Sequence, residues 1–400
     1  MLGIGLIGLG THGSRYARHI VEDLRDAALV AVCRRNRPEG EKLATASGCA
    51  FYDNYHDLVA NPRVDAVVVA VPPTLHPAIV EAACRAGKPL LVEKPLATSL
   101  AAAQHIASGV AASGVRAMVA HTLRFNTTVQ TVRAHVPEIG PLHALYLSQR
   151  FEPSPLDWLD RRAESGGGIV LHTGVHSFDL LRVLTGCEVT RVWCRTAQII
   201  TRETEDSFAL TCQLSDPSLV ATIAGSRAMG GRVGLLELAG ARGHLLADHV
   251  HGFVSLVRGA ERLTLPVPAP VPTVRETLGA FVRALREGTA FPISIEDGLR
   301  AVAIADAAYR SAARGGRARR SPLRDAEAVL ADGGCSARRR HRGGDRAAVR
   351  RNGPDRHRGS RRLHRRRHLA QLEIAARAKL LGDVAPSGHA LAEARGTPGS

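Results

Sequence analysis

The sequence contains no apolar run close to the roughly 20 residues that a membrane-spanning helix needs. Nothing before its first strand resembles a basic leader or a twin arginine, so export is not expected and a cytoplasmic location is. Aromatic residues make up only 4% of the 400 positions, and none follows Tyr309, so the carboxy-terminal part has no platform for base stacking. The 7 cysteines are scattered and form no Cys-x-x-Cys pair. That argues against a disulfide framework and a zinc site, and for free thiols in a reducing compartment. A single-sign charge is also missing from most of the chain. The net charge is +16, but residues 336–400 hold 17 Lys and Arg against 5 Asp and Glu, so +12 belongs to the tail and +4 to the first 335 residues. Nucleic acid is therefore not expected as a partner of the body of the protein.

What is present is an α/β alternation. Gly3–Gly8, Leu29–Arg34, Val64–Val71, Pro89–Val92 and Ala117–Ala120 read as strands, with helices over 14–24, 39–46, 77–86 and 101–112. The continuous β-branched run VDAVVVAV suits a strand buried on both faces of a parallel sheet. Beyond residue 121 the pattern turns to strands joined by short polar turns: 142–151, 188–200, 207–214, 219–228, 233–246, 253–257 and 262–267. Helices are expected over 174–184, 273–287 and 295–310. The fold class is thus α/β, an N-terminal Rossmann parallel sheet followed by an α+β domain on a largely antiparallel open sheet. The expected division is a dinucleotide-binding domain over 1–120, a substrate and oligomerisation domain over 121–320, and a basic, disordered tail over 321–400. Two readings of that tail stay open, an evolved extension and out-of-frame translation of a GC-rich gene end.

Four motifs carry chemistry. Gly8-x-Gly10-x-x-Gly13, enclosing Thr11 and His12, joins a strand to a helix. Glycines at these positions permit a tight turn, close approach of a pyrophosphate and close helix packing, with free helix N–H groups facing the phosphates. The acidic residue that would hold a ribose 2′-hydroxyl is absent, and Cys33-Arg34-Arg35-Asn36-Arg37 stands in its place. Arg34 and Arg35 suit a 2′-phosphate, so NADP(H) is expected over NAD(H), with NAD(H) still possible. Glu93-Lys94-Pro95 lies at the C-terminal end of a parallel strand, where open α/β sheets bind ligands, and its lysine suits donation to a substrate oxygen. In GGGIVLHTGVHSFD, His172, His176 and Asp179 are spaced to share one helical face. Two histidines without the glutamate of a zincin make a weak metal site, so a proton-relay pair is expected and no metal.

These motifs together resemble the Gfo/Idh/MocA family, named for glucose–fructose oxidoreductase, inositol dehydrogenase and a rhizopine-catabolism protein. The resemblance runs from about residue 3 to residue 320 and includes VAVPPTLHPAIVEAACRAGKPLLVEKPLA, HTLRFN and EDGLRAVAIADAAYRSA. It implies hydride transfer between a nicotinamide and a carbinol or keto carbon of a sugar, inositol or related molecule. It implies Lys94 as the catalytic lysine, aimed by a cis Lys94–Pro95 peptide, and His176 as acid/base, with His172 in support. Arg124, Asp179 and Trp158 would then lie near the substrate, and Pro72, Thr74, His76 and Glu93 beside the cofactor. The family commonly has an aspartate where this chain has His172. The competing reading is therefore a non-catalytic, dinucleotide-binding sensor or scaffold. A dimer or tetramer through the open sheet is also expected.

Overall fold

The computed structural model describes residues 1–321 and Leu323. The expectations of disorder and of an out-of-frame end for the tail lie outside those residues. The first sheet comprises β1 (Leu2–Ile7), β2 (Ala27–Cys33), β3 (Ala50–Tyr52), β4 (Ala66–Val69), β5 (Leu90–Val92) and β6 (Ala117–Val119), in the order β3-β2-β1-β4-β5-β6. All its pairings are parallel. β4 and β5 are buried at every position, as a doubly covered sheet requires. Strand order reverses between β1 and β4, which opens a crevice at their C-terminal ends.

The covering helices are α1 (Thr11–Glu22), α2 (Arg37–Ser47), α3 (Tyr55–Ala60), α4 (His76–Arg85) and α5 (Leu100–Ser113). Local chemistry sets their ends. Ser99 accepts a hydrogen bond from the Ala102 N–H at the start of α5, and Gly114 closes it in the left-handed region. The short pieces β3 and α3 carry too few residues to show a periodicity in the sequence.

Next come α6 (Thr127–His135), β7 (Leu142–Arg150), α7 (Arg162–Ser165), a π-helical turn (Val170–Gly174) and α8 (Val175–Thr185). The strands β8 (Val189–Ala197), β9 (Ser207–Leu214), β10 (Val220–Ser226), β11 (Val233–Gly240), β12 (Gly243–Asp248), β13 (Phe253–Arg258) and β14 (Glu261–Thr264) follow. Then come α9 (Thr273–Glu287), α10 (Ile295–Ala312) and β15 (Arg319–Arg320). The second sheet runs β14-β13-β12-β11-β7-β10-β9-β8-β15, antiparallel except for the central pair β7–β10. Its 233–246 stretch, read from sequence as one strand, is the hairpin β11–β12, because Gly240–Gly243 supplies a turn that the apolar flanks masked.

α10 joins the two cores. Leu299 and Val302 pack with the parallel sheet, whereas Ile304, Ala305 and Ala308 pack under the second sheet. A capping box between Ser294 and Asp297 starts this helix. Among the described residues no helix is long and apolar enough to cross a membrane.

Candidate active site

A cavity of about 1250 Å³ opens at the crevice beyond β1 and β4. Its lining includes Gly8, Gly10, Thr11, His12, Arg34, Arg35 and Pro72 from the first βα turns. It also includes Glu93, Lys94, Trp158, His172, Thr173 and Arg227. The glycine turn passes a direct test of fit to a dinucleotide. A Cβ on Gly13 would come 1.9 Å from the Gly8 carbonyl oxygen, and one on Gly8, whose φ is +97°, would come 2.3 Å from the Ala70 carbonyl. A Cβ on Gly10 meets nothing within 4 Å. Two glycines are thus demanded by the fold, while Gly10 leaves open the space that a phosphate would fill at the start of α1.

The cationic loop after β2 divides its labour. Arg34 donates to the Leu9 carbonyl at 3.0 Å and pairs with Glu39, so it braces the glycine turn. Arg35 is exposed, lines the cavity and makes no hydrogen bond or ion pair among the described residues.

Glu93 and Lys94 follow β5 directly, next to the crevice. Glu93 is buried, accepts the Tyr16 hydroxyl at 2.8 Å and the Lys94 backbone N–H at 3.0 Å, and so ties α1 to the strand end. The Lys94–Pro95 peptide is cis. The Lys94 ammonium donates to the His172 carbonyl at 3.0 Å, and burial pushes its pKa down, opposed by the Glu93 charge.

The expected histidine pair does not form. The π-helical turn breaks the α-helical register between His172 and His176. The His172 ring nitrogen Nε2 lies 2.9 Å from the Ser165 carbonyl, which can only accept, so Nε2 carries the proton and Nδ1 is left as an acceptor. Burial and the nearby Lys94 charge lower its pKa to about 3, and its ring packs edge-on against Trp158, 5.4 Å between centroids. No hydrogen bond links it to His176. His176 instead meets the edge of the His121 ring, and its Nδ1 is buried without a partner. Burial, then the charge of Lys94, pushes the His176 pKa down. His176 is outside the set of cavity-lining residues.

Other expected positions also move. His76 is fully buried behind the cavity, its ring nitrogens 3.0 Å from the Leu96 carbonyl and 3.1 Å from that of Val71, where it pins two loops. Thr74 is exposed and lines no part of the cavity. Arg124 and Asp179 form a forked pair at 2.8 and 2.5 Å, and Arg124 also lies 3.1 Å from Asp297, which Arg182 meets at 2.8 Å. That network fastens the turn at Thr122–Phe125 to α8 and α10, away from the cavity lining. No metal-binding cluster occurs among the described residues. Sequence reasoning missed Arg227 and Arg232 of the cavity wall. No spacing flags an isolated arginine after a strand, and only the sheet brings these residues to Lys94.

Two family models match the chain. Residues 2–121 match the oxidoreductase family with an NAD-binding Rossmann fold, and residues 129–246 match the GFO/IDH/MocA C-terminal domain. The myo-inositol 2-dehydrogenase of Thermotoga maritima is 27% identical over 326 residues, 77% of this chain and 95% of that protein. The myo-inositol dehydrogenase Hyg17 of Streptomyces leeuwenhoekii is 30% identical over 60% of this chain and 75% of its own length. In fold, the crystal structure of an oxidoreductase domain protein from Kribbella flavida superimposes with a TM-score of 0.73 at 22% identity, covering 80% of this chain and 99% of that one.

Proposed function

The chain belongs to the Gfo/Idh/MocA oxidoreductase family, and from that membership we propose that it oxidises or reduces a hydroxyl-bearing carbon of an inositol, sugar or related small molecule. One observation carries the reading. The phosphate-ready turn at Gly10 and the buried ammonium of Lys94 line a single cavity. When bound, the dinucleotide supplies the two-electron redox chemistry. Gly8, Gly10, Thr11 and His12 would hold its phosphates, with Pro72 and Glu93 along the wall. Arg35, which forms no ion pair among the described residues, supports NADP(H) in preference to NAD(H).

The chain's own residues then handle the proton. Lys94, held by the His172 carbonyl, donates to the substrate oxygen and stabilises negative charge there. His176, neutral and with an uncommitted Nδ1, is assigned the hydroxyl proton from family membership, although it stands outside the cavity lining. His172 orients the lysine through its backbone and presents Nδ1 as an acceptor. Its neutrality favours a second reading, a dinucleotide-binding sensor that performs no exchange, because no carboxylate raises the basicity of His176.

We place the protein in the cytoplasm, supported by six free cysteines among the described residues. We assign a dimer or tetramer, supported by Trp193, Val220 and Leu235, which stand exposed on the second sheet. The deciding experiment follows nicotinamide absorbance with both cofactors against sugars, inositols and their keto forms. Turnover with any of them is expected. Tight NADPH binding with no turnover across the panel would transfer the assignment to the sensor.

A further inference from the structure

Arg227 follows β10 directly, is only 6% exposed, and lines the same cavity as Lys94. Its guanidinium has five donors, yet its side chain makes one hydrogen bond, from Nη2 to the Thr204 hydroxyl at 3.2 Å. Among the described residues it makes no ion pair. The comparably buried Arg124 and Arg182 both sit in carboxylate forks. A guanidinium taken out of water without a direct counter-charge is costly, and a fold keeps one where something else completes it.

Three carboxylates act on Arg227 from a distance, Glu205, Asp160 and Asp206, and oppose the effect of burial on its pKa. Each is already engaged by other donors. Asp160 accepts the backbone N–H groups of Arg202, Glu203 and Thr204, and Asp206 those of Ile199, Ile200 and Thr201. Glu205 accepts the Tyr309 hydroxyl and the Val170 N–H. They help keep Arg227 charged without occupying its fork. The cavity wall beside it holds the flat ring of Trp158, the Thr173 hydroxyl and His172, a ring that feels the positive charge of both Lys94 and Arg227.

We propose that the substrate of this enzyme carries a carboxylate, which Arg227 receives in a forked contact while the reacting hydroxyl lies at Lys94. The proposal rests on the oxidoreductase reading and narrows its substrate class to sugar acids. A single negative charge fits better than a phosphate dianion, because the three distant carboxylates repel the second charge.

The test compares matched pairs, glucuronate with glucose and galacturonate with galactose, with glucose 6-phosphate as the phosphate arm. The full chain is assayed with saturating NADP⁺, and binding to the NADPH complex is read by calorimetry. Each acid should exceed its neutral twin in kcat/KM, or in affinity where turnover is slow, by about 10- to 100-fold, the value of a charge-assisted fork. Arg227→Gln should bring that ratio near one, and Arg227→Lys should retain part of it. A merely structural arginine would lower both members of a pair and leave the ratio as it was. The proposal is overturned by a wild-type ratio near one, by a ratio that survives Arg227→Gln, or by preference for the phosphate ester. It is also overturned if Arg227→Gln weakens NADPH as much as it weakens the acid, since the fork would then serve the dinucleotide. Should Arg227→Gln fail to fold, the wild-type ratio still decides. Turnover of the neutral sugars alone would sink this inference and spare the oxidoreductase reading, whereas absence of NADPH binding would sink both.

Discussion

Replacing Gly10 and Gly13 by alanine separates what the glycine turn does for the fold from what it does for the dinucleotide. At Gly13 the new methyl would sit 1.9 Å from the Gly8 carbonyl oxygen, a backbone atom that cannot swing away. Overpacking of that kind costs about 1–3 kcal/mol, and each kcal/mol lowers Tm by about 2–4 °C in a protein approaching this size. At Gly10, φ is −72° and ψ −168°, extended backbone that alanine adopts freely, and the methyl meets nothing within 4 Å. Its folded state should be unharmed or gain about 0.4–1 kcal/mol from a stiffer unfolded chain. The same methyl, however, stands where a phosphate must approach the free N–H groups of α1. Losing one charge-assisted hydrogen bond there is worth about 1.5–3 kcal/mol, or roughly 10- to 100-fold in Kd. Thermal melts of the free protein and NADPH calorimetry read the two effects separately. Gly10→Ala should melt at or above the wild-type temperature and bind NADPH at least ten-fold more weakly, while Gly13→Ala melts several degrees lower. Near-native NADPH affinity in Gly10→Ala would refute the assignment of that open space to phosphate.

Three further outcomes follow from the site. Lys94→Met should cut turnover by about 10²–10⁴-fold while NADPH affinity stays within a few-fold, and unchanged kcat would remove Lys94 from the chemistry. Arg124→Met should cost about 3–5 kcal/mol, seen in denaturant melts, because it strands the buried carboxylate of Asp179, and undiminished stability would mean that the fork is not structural. His172 has a folded pKa of about 3 against 6.5 when exposed, so the unfolded chain binds the extra proton between those values. Its contribution is therefore intact above pH 6.5 and is lost as pH falls, by up to about 1.4 kcal/mol per pH unit. Melting temperatures from pH 7 to pH 4 should fall less steeply in His172→Asn, and parallel curves would contradict a neutral, buried ring.

Much of the first sheet was legible because its signals are local. A β-branched run such as 64–71 has few stable alternatives to a doubly buried strand, and Gly8 and Gly13 each occupy a position where the turn leaves little choice. Lys94 was readable for the same reason, since a residue that ends a parallel strand emerges on the ligand side. The histidine pair was not. Periodicity assumes an unbroken α-helix, and the π-turn at Val170–Gly174 rotated His172 toward Ser165 and left His176 against His121.

By itself, then, the chain's order of residues determined the two sheets, the dinucleotide turn and the strand-end lysine, all products of contacts within a few positions or of burial that has only one period to satisfy. Tertiary structure alone decided which charges are spent and which are free. Arg124 met Asp179 across 55 positions and became a brace, whereas Arg227 was carried to the cavity wall with the neighbouring carboxylates already taken. Whether a guanidinium finds a partner depends on distances that folding sets between remote segments, and no local pattern encodes them.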